Sequence, residues 1–153
     1  MYLARCQSDR IRPCGDRRGT TAVEFAMTAP ILFLIFFASL EFSRYNMIQQ
    51  TANNAAFEAT RKCILPGYAA TDGRTTGLNV LSQASISSGT VTIYDADANT
   101  VISSTIPTTT QRIKATVSVP LSSNLWVRPL YLGSGTITKS FTLTCDWVNA
   151  AHY

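Results

Sequence analysis

The stretch Phe25–Leu40, FAMTAPILFLIFFASL, carries no charged residue, and a chain this short has few ways to accommodate it. As a helix it rises about 24 Å at ~1.5 Å per residue, less than the ~30 Å hydrocarbon core of a bilayer. Extended to Ala22 and Phe42 it reaches about 31 Å, which brings Glu24 and Glu41 to the two interfaces. There a carboxylate reaches water and avoids the roughly 3 kcal/mol of a charge at mid-membrane. A buried core helix would need a larger partner core than the remaining residues supply. A cleaved secretory signal would need small residues spaced as in A-x-A, and Phe37-Ala38-Ser39-Leu40-Glu41-Phe42 does not offer them. The expectation is a retained single-pass anchor at about 22–42, bent or weakened at Pro30, which removes a backbone donor in a setting where membrane helices tolerate it.

Charge gives the anchor a direction. Before Glu24 stand Arg5, Arg10, Arg12, Arg17 and Arg18 against Asp9 and Asp16, so most of the net charge of +4 lies ahead of the apolar run. A basic flank of this kind is retained on the cytoplasmic side. The same charge without interleaved aromatics, and without a second basic surface, argues against nucleic acid as a partner. Overall the chain is 46% hydrophobic and 14% charged over 153 residues, which leaves room for one modest Thr/Ser-rich domain beyond the anchor.

Past the membrane the pattern becomes amphipathic. Phe42, Tyr45, Ile48, Ala52, Ala55 and Ala59 recur at spacings of three or four, with Arg44, Gln49, Asn53 and Glu58 between them. Pro66-Gly67 stops the helix. The reading is one long helix from Thr20 to Leu65, its first half in the membrane and its second half lying against a head domain. In the head, Asp72–Ile86 reads as a short helix through Leu78, Leu81, Ala84 and Ser85. Thr90–Tyr94 and Thr100–Ile106 read as a hairpin turning at Asp95–Asn99. Arg112–Leu121 and Thr136–Trp147 alternate as strands, separated by a loop over Ser122–Gly135. The expected class is α+β and pilin-like: a long N-terminal helix packed on an antiparallel sheet of about four strands, with one sheet face covered.

Four cysteines fall into two pairs, Cys6 and Cys14 on the basic side and Cys63 and Cys145 beyond the anchor. Only the second pair would reach an oxidising compartment, so a Cys63–Cys145 disulfide is expected, with two buried thiols as the alternative. Asp95-Ala96-Asp97-Ala98-Asn99 opens like a calcium loop, but Thr100 stands where glycine is required and Ile106 where the closing glutamate belongs; a polar hairpin turn is the better reading, with no metal. His152 is the single histidine and has no nucleophile motif to serve. Trp126 and Trp147 read as packing rather than a sugar platform. No phosphate loop, CxxC or carboxylate cluster is present, so neither an enzyme nor a cofactor is expected.

The residues at the membrane entrance add a more specific signal. Arg17-Arg18-Gly19-Thr20-Thr21-Ala22-Val23-Glu24-Phe25 resembles the processing site of type IV-type prepilins. With the Pro-interrupted apolar run, Glu41-Phe42-Ser43-Arg44 and an Ala/Asn-rich helix, the segment from Arg18 to Gly67 resembles the TadE-like family of tight-adherence pilus proteins. The resemblance implies that a prepilin peptidase cuts between Gly19 and Thr20, removing the basic leader 1–19, and that Glu24 and Phe25 complete the signal. Glycine suits an extended backbone entering a protease cleft. Glu24, four residues from the new amine, shares a helix face with it, although an acid there is also favoured simply by the helix dipole. The implied function is a structural minor pilin-like subunit, because major pilins of this system are much shorter. It would sit in the inner membrane with residues 66–153 outside the cytoplasm, partnered by other pilin-like subunits and the assembly platform. The alternative function is a single-pass membrane protein whose head binds a ligand or surface without entering a filament.

Overall fold

The computed structural model describes residues 17–125 and 133–145. Two helices and four strands follow in the order α1 (Arg17–Cys63), α2 (Ala70–Gln83), β1 (Thr90–Asp95), β2 (Thr100–Val101), β3 (Arg112–Pro120) and β4 (Thr136–Thr144). The strands form one antiparallel sheet in the order β2-β1-β3-β4. The chain divides into two units, Met1–Phe37 and Ala38–Tyr153. The class is α+β, as the sequence patterns predict.

The first unit is described from Arg17 onward and is helical throughout. Its large apolar side chains, Phe25 and Met27 and then Ile31 through Phe37, are all exposed. The helix continues through Pro30. It is long and apolar enough to cross a membrane, and none of its most apolar stretch is buried.

In the second unit the residues of α1 that face inward are small. Ala52, Ala55, Ala56 and Ala59 are fully buried together with Ile48. Small side chains let a second helix approach closely, and α2 uses that space through its own glycines. A Cβ at Gly77 would lie 3.3 Å from the carbonyl oxygen of Ala55, and one at Gly73 would lie 2.8 Å from that of Ala59 while colliding with the Cys63 sulfur. Two Gly-to-Ala steps thus run antiparallel along one seam, and at Gly73 no larger side chain fits without moving backbone. The N-terminus of α2 is closed by Asp72, whose carboxylate accepts the Ala69 N–H at 2.9 Å.

The sheet supplies the other side of the core. β3 alternates strictly, and Ile113, Ala115, Val117 and Val119 are all fully buried, each of the larger ones contributing roughly 1.5–3 kcal/mol relative to exposure. Pro120 ends β3 beyond the last residue paired with β1, which is Ser118, so its missing N–H costs no bond on that side. The opposite face is hydroxyl-rich: Thr92, Thr116 and Ser140 align across three strands, as do Thr90, Ser118 and Thr138.

Several boundaries differ from the sequence reading. α1 starts at Arg17 rather than Thr20 and ends at Cys63 rather than Leu65, because the residue before a proline is driven out of helical geometry; Gly67 follows at φ +88°. α2 begins two residues early and ends at Gln83, where Ser85 turns to φ 54°, and Leu78 is exposed rather than core. β2 is two residues long instead of reaching Ile106. After Ile102, whose N–H still bonds to the Ile93 carbonyl at 2.9 Å, the chain leaves the sheet and Ser104 accepts the Ala70 N–H at 2.8 Å. β3 stops at Pro120 and β4 at Thr144; Trp147 and Trp126 lie outside the described residues, as does His152.

Candidate functional site

Gly19, Thr20, Glu24 and Phe25 all fall in the opening turns of α1. Gly19 stands in open space, with no neighbouring atom within 4 Å of where a Cβ would be. Phe25 is 68% exposed, and Glu24 is exposed as well. The Thr28 hydroxyl donates to the carbonyls of Glu24 at 3.0 Å and Phe25 at 3.2 Å, securing the backbone one turn ahead of Pro30. Because the Gly19–Thr20 peptide is helical here, a protease that reads an extended strand must first unwind the first turn, which is the weakest part of any helix. Glu24 lies one turn beyond Thr20, the spacing at which two groups share a helix face.

The second cluster was not anticipated. Arg44 reads from sequence as part of the polar side of α1, yet it is only 7% exposed, and Glu41 is similarly buried at 8%. The inward stripe of α1 therefore runs Glu41, Arg44, Ile48, Ala52, with Phe42 turned outward at 60% exposure. The Arg44 guanidinium donates from Nε to the Asn124 carbonyl at 3.1 Å and from Nη2 to the Ser85 carbonyl at 3.2 Å. Asn124 extends the network: its side chain accepts the Ser87 N–H at 2.7 Å and donates to the carbonyls of Ser87 and Pro120, each at 2.8 Å. One cation thus ties together the loop after α2, the turn after β3 and the start of the second unit's helix. The only sequence hint was the spacing of Glu41 and Arg44 in phase with Ile48.

The Asp95–Asn99 turn is a hairpin turn, as expected. The Asp95 carboxylate accepts the N–H groups of Asp97 at 2.9 Å and Ala98 at 3.2 Å and the Thr110 hydroxyl at 2.9 Å. Partial burial opposes ionisation, but these donors outweigh it and hold the carboxyl below its ordinary range. Arg112 closes on Asp97 at 2.6 Å. The two carboxylates are thereby occupied by protein donors, and among the described residues no grouping of histidine, cysteine, aspartate and glutamate is suited to a metal ion.

Cys63 and Cys145 both lie in the same core as thiols, 1% and 2% exposed. Burial pushes the Cys63 thiol from 9.0 to about 11, opposed by the Gly73 N–H and reinforced by Asp72 and Cys145. Cys63 also contributes to the floor of an open recess of about 370 Å³ walled by Leu65, Pro66, Tyr68 and Ile106. Lys62 sits over the Tyr68 ring, 3.6 Å from its centroid. The recess offers little polar chemistry for catalysis.

Residues 19–61 match the family model of TadE-like proteins. The match starts at Gly19 and takes in the exposed apolar turns, the Glu41–Arg44 box and the alanine seam, and it stops short of α2 and the sheet. It is the family that the membrane-entrance motif resembles. No curated protein and no solved structure matched the chain.

Proposed function

We propose that this chain is a structural, minor pilin-like subunit of a tight-adherence pilus. The observation that carries this reading is the position of the TadE-like match, residues 19–61, over a helix whose apolar side chains are exposed through Phe37. Side chains of that size require hydrocarbon or other subunits around them. In this reading residues of about 22–42 span the inner membrane, the basic leader 1–19 faces the cytoplasm, and residues 66–153 fold on the other side. A prepilin peptidase releases the leader between Gly19 and Thr20. Glu24 then faces the new amine one turn away, or that of a neighbouring subunit. A carboxylate near hydrocarbon favours such a partner, so the pair sets subunit register during assembly. The partners are other pilin-like subunits and the assembly platform. The role needs no cofactor or catalytic residue.

Mass spectrometry of the mature N-terminus, with and without the host's prepilin peptidase, tests the proposal. The expected result is a chain beginning at Thr20 only when the peptidase is present. Retention of Met1 in both cases, or a cut near Glu41, would overturn it. Glu24→Val should leave cleavage and insertion intact and reduce piliation; normal piliation in that variant would reduce Glu24 to an interfacial acid.

A further inference from the structure

We propose that Cys63 and Cys145 are a cross-linking site, joined into a disulfide by an extracytoplasmic dithiol oxidant while the head folds. The inference rests on the reading that places the head outside the cytoplasm. Two contacts join α1 to β4 near the pair. The Phe57 and Phe141 rings meet edge to face at 5.1 Å, and the Thr60 hydroxyl donates to the Phe141 carbonyl at 3.3 Å. The last turns of α1 therefore run beside β4, and continuing along both elements leads from Thr60 to Cys63 and from Phe141 to Cys145. The Cys145 N–H is anchored to the Gln111 carbonyl at 2.8 Å, and Cys63 and Cys145 are buried in one core cluster.

The chemistry is thiol–disulfide exchange. One cysteine, as thiolate, attacks a sulfur of the oxidant's disulfide to form a mixed disulfide and release one oxidant thiolate. The second cysteine displaces the other oxidant sulfur, so the two head cysteines are oxidised and the oxidant leaves as a dithiol carrying both protons. Timing follows from burial. Once the head is closed, Cys63 is 1% exposed and its thiol is held protonated, which disfavours attack. The bond therefore forms before the core closes, and the core then shields it from reductants. It welds the end of α1 to the end of β4 and encloses α2 and the four described strands in a covalent ring.

The test uses the full-length chain in two settings, alkylated at lysis and mapped as peptides without reductant, so that Cys6 and Cys14 are told apart from the head pair. Expected are a linked Cys63–Cys145 peptide pair, about 2 Da lighter than the sum of its free peptides, from cell envelopes, and the same pair after refolding in detergent with glutathione buffer. Folding first under reducing conditions and then adding oxidised glutathione should slow its appearance severalfold or more. Dithiothreitol present during refolding should lower the melting midpoint by roughly 10 °C or more, and Cys145→Ser should remove that sensitivity. Absence of the linked pair after glutathione refolding would overturn the inference and leave the pilin reading standing. The linked pair in vitro but alkylated thiols in envelopes would overturn oxidation in the cell and, with it, the extracytoplasmic placement of the head.

Discussion

Residues 23–37 and residues 48–63 belong to the same helix, α1, and both present apolar side chains, yet the first set is exposed and the second buried. The difference is one of size. The exposed stretch uses Phe, Ile, Leu and Met, which bring large apolar surface and keep neighbouring backbones apart. The buried stretch uses alanine, which contributes little area itself but lets Gly73 and Gly77 of α2 sit against its carbonyls. One half of the helix thus has the size and apolarity to cross a membrane, and the other meets a fixed partner at close range. Hydrophobicity alone does not distinguish these uses; side-chain volume does.

Phe36→Arg, in the exposed stretch, should weaken membrane insertion by about 3 kcal/mol while leaving the melting midpoint of the head unchanged, as read by membrane fractionation alongside circular dichroism. A matched pair comes next: Ala55→Leu should destabilise the head by roughly 2–3 kcal/mol through overpacking, whereas Ala26→Leu should stay within about 0.5 kcal/mol. Equal effects in chemical denaturation would show that the seam is not tight. Arg44→Met should cost about 2 kcal/mol by leaving the Ser85 and Asn124 carbonyls without their donor.

Two pH effects are smaller. Since folding raises the Cys63 thiol from 9.0 to about 11, the unfolded chain loses its proton first, and the reduced head should lose stability as pH climbs through that window; the oxidised head should not. Asp95 has the opposite sign. Its carboxyl is held below the ordinary 3.8, so the stability it supplies is present above that value and fades as pH drops below it. Asp95→Asn should flatten this acid limb of the melting curve.

Sequence patterns revealed the elements well where periodicity was strict. β3 alternates without exception, and the membrane-entrance motif identified the family that residues 19–61 match. They failed where one side chain departs from the average behaviour of its type. Arg44 is buried because three backbone carbonyls converge on it, and no local pattern announces carbonyls contributed from residues 40 or more positions away. Phe42 belongs to the amphipathic pattern of α1 yet is 60% exposed, and Phe141 stays 38% exposed although the Phe57 ring packs edge to face against it. Gly73 and Gly77 carry no periodic signal of their own, and their role emerges only from the close approach of α2 to the alanines of α1.

The sheet's two edges are unequal, with β2 two residues long and β4 nine. Among the described residues, only the β4 side offers a row of backbone groups long enough to accept another strand. A body with a single such edge can pair with one copy of itself, edge to edge about a two-fold axis, and the pairing then ends there. Propagating a fibre through sheets would require two comparable edges. In the proposed pilus, growth would therefore fall to the helices, and the heads could be crowded together without polymerising through their strands.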